Sequence, residues 1–308
     1  MSNIDYRGIY APVLTPFTDT LKIDYDDLNK MVDFTIAGGN QGIVTTANAA
    51  EFYTMTDEEH HDVIKAIVDR VDGRIPVMAG IAGWSTEHSI YHAQFCESVG
   101  CVALMATPPV IKPIEWDDIR RFYERLDHAV NIPICIQNAP PMGAAMTPEQ
   151  MLQLARENEK VLYVKEETPF EMNYVSALAD AGKTLPKQVF GGVMCGNSGL
   201  TIIDNYLRGA CGCMPANHLS DIFVTIWELM EQGRMNEAIE IYEAICPLLI
   251  YEGMYWGPNF SYILYRRGVF KTVASRARAI PYTRAHYEEV DRLLKLAEPY
   301  YRVEANQY

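Results

Sequence analysis

Eight short apolar runs, each followed by a helical pattern, constrain this chain more than any other feature. The runs cover residues 8–14, 42–45, 76–80, 101–106, 133–137, 161–165, 189–192 and 210–214. A short apolar run bounded by turn residues reads as a buried parallel strand. The segments between them carry amphipathic stripes, such as Leu28, Met31, Val32, Thr35 and Ile36, or Val63, Ile64, Ile67, Val68 and Val71. Their ends are punctuated. Thr56-x-x-Glu59 is a capping box, Thr147-Pro148-x-Gln150 puts proline in a first helical turn, and Gly38-Gly39 follows a helix end. Strand and helix alternating eight times predict an α/β fold, a TIM (β/α)8 barrel. A doubly wound open sheet is the alternative, and the first strand–helix turn lacks its G-x-G-x-x-G fingerprint.

No Gly/Ser/Pro-rich linker divides the 308 residues, and a hydrophobic content of 49% supports a sizeable core. Beyond about residue 218 the pattern is wholly helical, with segments near 220–232, 235–250, 254–267 and 284–299. The first closes the barrel. The expected division is therefore a catalytic barrel over residues 1–232 and a C-terminal helical domain over 233–308. The apolar and aromatic residues of that extension, among them Tyr242, Ile245, Leu248, Leu249, Tyr251, Tyr255 and Trp256, suit packing or a subunit contact better than a cofactor site.

A net charge of −14 argues against nucleic acid and anionic membrane as partners. No apolar stretch is long enough to span a bilayer, and Met1-Ser2-Asn3-Ile4-Asp5 does not read as a secretory signal. Seven cysteines without framework spacing fit free thiols in a reducing cytoplasm. Cys211-x-Cys213 lacks a second pair, the seven histidines are scattered, and His60-His61 reads as the solvated face of a polar helix start. Zinc is therefore not expected.

In a barrel, chemistry sits at the C-terminal ends of the strands. That rule selects Asn48 to Glu51 after the second run, Thr107 to Lys112 after the fourth, and Gln137-Asn138 at the fifth. It also selects Lys165 and Glu167 at the sixth, Gly191 to Asn197 after the seventh, and Met214 to Asn217 after the eighth. Lys165 carries the most information. It ends Val161-Leu162-Tyr163-Val164-Lys165, an apolar strand meeting charge. Partial desolvation at such a place disfavours an ammonium and frees an amine to attack a carbonyl. A lysine snorkelling out of the strand end, or paired with a carboxylate, is the ordinary alternative.

Several segments together resemble the dihydrodipicolinate synthase / N-acetylneuraminate lyase family over nearly the whole length. They are Gly8-Ile9-Tyr10-Ala11-Pro12-Val13-Leu14-Thr15-Pro16-Phe17, Gln41-Gly42-Ile43-Val44, Glu51-x-x-Thr54-x-Thr56-x-Glu58-Glu59-His60, Pro108-Pro109 with Lys112-Pro113, Asn138-x-Pro140 and Val164-Lys165-Glu166. The resemblance implies a TIM barrel with a C-terminal helical domain, usually a homotetramer. It also implies a lyase that joins or cleaves 2-oxo acids through an imine on Lys165, without metal or organic cofactor.

The chain departs from the family at its proton relay. Gly-Thr-Thr-Gly-Glu is replaced by Ala47-Asn48-Ala49-Ala50-Glu51, the tyrosine before the strand-five Asn by Gln137, and the tyrosine pair after strand four by Val110-Ile111. The arginine that holds the second substrate's carboxylate in the synthase aligns with Met142. An amide cannot ionise to shuttle protons, so these losses argue against synthase activity.

One residue is gained. Glu167 stands where the family has a small residue, and strand alternation puts it on the face of Lys165. It fits a general base beside an imine, and equally a plain ion-pair partner. Gln137-Asn138-Ala139-Pro140, Lys165-Glu166-Glu167 and Tyr265-Arg266-Arg267-Gly268-Val269 resemble a divergent branch, the L-2-keto-3-deoxyarabonate dehydratases.

The expectation is a Schiff-base lyase acting on a 2-keto-3-deoxy sugar acid, a dehydratase ahead of a pyruvate-releasing aldolase. A non-catalytic barrel that binds a 2-oxo acid is the alternative from another class. In this reading Asn48, Gln137 and Asn138 orient hydroxyls or a water, the backbone at Ala49-Ala50 holds a carboxylate, Pro215 to Asn217 form another wall, and Met214, Pro215 and Ala216 contact the substrate. Asn48 as a helix cap and Gln137 as a satisfied barrel polar group remain open.

Overall fold

The computed structural model describes residues 6–109, 114–139, 145–169, 171–254, 258–277 and 282–304. Val110, Ile111, Lys112, Pro113, Pro140, Met142, Tyr255 and Trp256 lie outside them. Eight strands pair in chain order and close into a parallel barrel: β1 (Gly8–Pro12), β2 (Gly42–Thr45), β3 (Val77–Gly80), β4 (Ala103–Ala106), β5 (Ile134–Asn138), β6 (Val161–Glu166), β7 (Gly192–Cys195) and β8 (Gly212–Cys213). Helices α1 (Tyr25–Ala37), α2 (Asp57–Val71), α3 (Thr86–Val99), α4 (Trp116–Ala129), α5 (Pro148–Glu157), α6 (Glu171–Gly182), α7 (Ile202–Leu207) and α8 (Ser220–Glu231) follow the strands in turn. The chain ends in α9 (Met235–Met254), α10 (Pro258–Arg266) and α11 (Arg284–Ala297). The fold is the expected TIM barrel with a C-terminal helical extension. No helix among the described residues is long and apolar enough to cross a membrane.

The chain forms two compact units. One comprises residues 1–7, 76–197 and 201–214; the other comprises 8–75, 198–200 and 215–308. Residues 233–308 thus fall in the same unit as β1, β2, α1, α2 and α8.

In the first unit, parallel pairing sets Gln137 of β5 opposite Lys165 of β6, and Lys165 opposite Met194 of β7. The seventh strand differs from expectation. Val189 and Phe190 spend their N–H groups on the carbonyl of Pro186, at 2.8 and 3.0 Å, and so form a turn. The strand begins at Gly192, three residues later than the apolar run suggests, so Gly196 and Asn197 stand just past its end. The eighth strand is shorter than residues 210–214, but Cys211 N–H to Val193 O and Met214 N–H to Cys195 O, both 2.8 Å, continue its ladder on either side.

In the second unit the capping box at Thr56 forms as read, with Thr56 and Glu59 satisfying each other's backbone. His60 corrects an expectation. It is buried rather than solvated, because positions 60, 63, 64, 67 and 71 make one stripe on α2 and His60 begins it.

Candidate active site

Lys165 is one residue from the end of β6 and is 5% exposed. Strand pairing carries on past that end, since Glu167 N–H donates to Asn138 O at 3.0 Å. Extended geometry therefore persists, and alternation brings positions 165 and 167 to one face. The Lys165 ammonium lies 3.0 Å from Glu167 Oε2. Gln137, the register partner of Lys165, donates from Nε2 to the same oxygen at 2.9 Å. The other oxygen, Oε1, accepts the backbone N–H of Asn197 at 3.2 Å. Burial pushes the Glu167 carboxyl up. The ammonium beside it, with the Gln137 and Asn197 donors, outweighs burial and holds it below the usual carboxylate range.

The carboxylate rests on bare backbone. A Cβ on Gly196 would lie 2.3–2.5 Å from the Glu167 side chain. Cys135, two residues before Gln137 on β5, is also buried. Burial raises its thiol well above the ordinary range, against the opposing influence of Lys165, so it stays protonated at neutral pH.

Side chains on the other face of the same strands do different work. Glu166 is fully buried and accepts Asn138 Nδ2 and Thr168 N–H, each at 2.8 Å. Burial raises its carboxyl, and those bonds only partly offset the rise. Asn138 is therefore a correction. Its amide also donates to Met146 O at 3.0 Å and accepts Met146 N–H at 2.9 Å. Every one of these bonds is structural, and alternation turns Asn138 away from the face that carries Gln137.

The candidates on the second unit fare unevenly. Residues Asn48–Ala50 form a single 3-10 turn after β2. Asn48 lies inside that turn and Ala47 caps it. Ala50 N–H is committed to Ala47 O at 2.9 Å, so it is not available to cradle a carboxylate as expected. Ala49 lies half-buried beside it. Glu51 is tied down as well, accepting Arg276 N–H at 2.9 Å and Ala277 N–H at 2.8 Å on one oxygen. Pro215 and Ala216 are buried just beyond β8. Met214, on the first unit, is buried too and bonded to β7.

Sequence reasoning missed Glu171, at the start of α6, which gathers Asn197, Thr201 and Asn205 around its carboxylate. Nothing in its local sequence marks it, because a glutamate at a helix start is ordinary.

The model of the dihydrodipicolinate synthetase family matches residues 5–297. The chain belongs to that family. Among curated members, it is 30% identical over 295 residues to an L-2-keto-3-deoxyarabonate dehydratase of Azospirillum brasilense, covering 95% of this chain and 94% of that protein. It is also 30% identical over 246 residues to a 4-hydroxy-tetrahydrodipicolinate synthase of Methanocaldococcus jannaschii, covering 79% and 82%. Among solved structures, a dihydrodipicolinate synthase from Rhodopseudomonas palustris superposes with a TM-score of 0.87 at 24% identity, over 95% of this chain and 98% of that one. That likeness bears on the fold. As a dihydrodipicolinate synthetase family member the chain is a lyase of the dehydratase or synthase type, and both names occur among its relatives.

Proposed function

We propose that this protein dehydrates a 2-keto-3-deoxy sugar acid through an imine on Lys165. The observation that carries the reading is the Glu167 carboxylate 3.0 Å from the Lys165 amine, oriented by an amide where the family has a tyrosine. Glu167 takes a proton from the ammonium, and the free amine attacks the 2-oxo carbon. The carbonyl oxygen leaves as water, and the resulting iminium acidifies the C3 protons. Glu167, again a carboxylate, removes one of them. The C4 hydroxyl then departs as water, taking that proton from the Glu167 carboxyl; a proton passes from C5 to C3, and the C4–C5 enol so formed ketonises to the C5 carbonyl. Hydrolysis returns the Lys165 amine and frees the product. Gln137 cannot ionise and only holds Glu167 Oε2 in line. Every step is acid–base or carbonyl chemistry, so none calls for a metal or an organic cofactor. The full-length alignment with a 2-keto-3-deoxy sugar acid dehydratase supports this substrate class over aspartate semialdehyde.

Borohydride added with pyruvate is expected to attach a covalent mass that maps to Lys165. Lys165→Arg should abolish it, since arginine keeps the charge but is no nucleophile at neutral pH. Across C5 and C6 2-keto-3-deoxy acids, accumulation of a dioxo or semialdehyde acid is the expected result. Pyruvate plus an aldehyde would establish aldol cleavage instead. Efficient condensation of pyruvate with aspartate semialdehyde would overturn the reading altogether.

A further inference from the structure

We infer that Glu171 is a positioning residue that sets the Glu167 carboxylate through Asn197. The inference rests on the reading of Glu167 as the base. Asn197 stands between the two acids. Its backbone N–H donates to Glu167 Oε1 at 3.2 Å, and its side-chain Nδ2 donates to Glu171 Oε2 at 2.6 Å. The residue is held at φ +47°, in the left-handed region that asparagine enters more readily than other residues with a Cβ. That conformation aims the N–H at Glu167, and the side-chain bond to Glu171 fixes it there.

Glu171 is built to hold rather than to react. It is 3% exposed. Its Oε1 accepts Asn205 Nδ2 at 2.6 Å and Thr201 Oγ1 at 3.2 Å, while Oε2 is given to Asn197. Asn205 Nδ2 also reaches Thr201 Oγ1 at 2.9 Å, so the donors brace one another. Donors thus converge on both oxygens of one buried side chain. A carboxylate can accept on both; a glutamine offers one acceptor and one donor. Burying a carboxylate is costly, and its charge also repels Glu167. A role confined to filling space would be met more cheaply by an apolar residue. The geometry supports a bracket running from α6 through Asn197 to the base.

The test uses solvent-deuterium exchange into the methyl group of pyruvate, followed by NMR on the full-length protein, with borohydride trapping run alongside. Glu171→Gln keeps an oxygen for Asn205 and Thr201 but sets an amide N–H against Asn197 Nδ2. Exchange is expected to slow about tenfold or more, since small misplacements of a catalytic group carry penalties of up to about 10²-fold. Trapping at Lys165 and the KM for pyruvate should persist. Adding Asn197→Asp to Glu171→Gln gives that N–H an acceptor again and should restore most of the exchange rate. Asn197→Ala, which cuts the link while leaving Glu171 in place, should slow exchange as Glu171→Gln does.

Wild-type exchange in Glu171→Gln and Asn197→Ala, or no recovery in the double variant, overturns the inference while the imine reading stands. A wild type that neither traps nor exchanges sinks the imine reading, and this inference with it.

Discussion

Before substrate arrives, Glu167 is an ion-pair partner. Its carboxylate faces the Lys165 ammonium and accepts from Gln137 and Asn197. In the proposed cycle the ion pair and the base are one side chain at two stages, and a substitution can separate them. Glu167→Gln keeps the shape and one acceptor oxygen but removes the base. Turnover should fall by about 10²–10⁴-fold, the usual contribution of a general base, while borohydride trapping at Lys165 survives. The pH profile gives a second readout. The folded carboxyl sits below the ordinary value of 4.5, so the wild-type carboxylate stays ionised until the pH drops beneath that value. Stability follows the same sign. The pair's contribution is present above the unfolded value and is lost as pH falls through the folded one. The acid limb of wild-type kcat/KM should accordingly lie below pH 4.5 and be absent from the variant. Near-normal turnover in Glu167→Gln would leave the side chain an ion-pair partner only.

The loop that leaves β7 supplies both the floor and one donor for that carboxylate. Gly196 provides the floor by having no side chain, since its Cβ would collide with Glu167 at 2.3–2.5 Å. Its φ is not in the left-handed region, unlike that of Gly199 at +78°, so alanine meets a steric conflict without backbone strain. Gly196→Ala should push Glu167 off its donors and lower kcat at least about tenfold, by the same logic of misplacement. Its melting temperature should change far less than that loss would suggest. A Gly196→Ala protein with wild-type kcat would show that the position of Glu167 is unimportant.

This loop also marks how far the sequence could be read. Lys165 and Glu167 were legible because alternation along an extended strand is a fixed period. Asn138 and its neighbour Gln137 share the strand end, and only the register against β6 tells that Gln137 is the one opposite Lys165. Glu171 stayed invisible because its partners Asn197, Thr201 and Asn205 come from more than twenty-five residues away in sequence. The start of β7 was misread where apolar Val189 and Phe190 sit in a turn closed by Pro186.

On the scale of the molecule, the barrel pattern was legible from eight alternations, whereas the binding of the chain's end to the rest was legible only as a motif. Arg267 stands in the segment Tyr265-Arg266-Arg267-Gly268-Val269. In the structure it is 5% exposed and donates to both oxygens of Asp221 on α8, at 2.7 and 2.6 Å. It donates further to His218 O at 2.8 Å and Val303 O at 3.1 Å. Its guanidinium stacks 3.8 Å from the Tyr301 ring centroid and 4.6 Å from that of Phe34. One side chain thus joins α8, the end of α10 and the last described residues. Asp221 in turn accepts Arg302 N–H at 3.0 Å, so the same side chain also holds the C-terminal segment.

Removing one member of such a pair strands a buried charge, which costs about 3–5 kcal/mol. The exposed Lys65–Asp69 pair on α2, with side chains 58% and 62% exposed, is of the kind that contributes little. Chemical denaturation should therefore give Arg267→Leu a loss of about 3–5 kcal/mol, with Lys65→Ala indistinguishable from wild type. Limited proteolysis of Arg267→Leu should cut first near residues 298–304. If Arg267→Leu unfolds at the wild-type denaturant concentration, the pair does not anchor the C-terminal segment, and the packing of α9 and α11 alone must hold it.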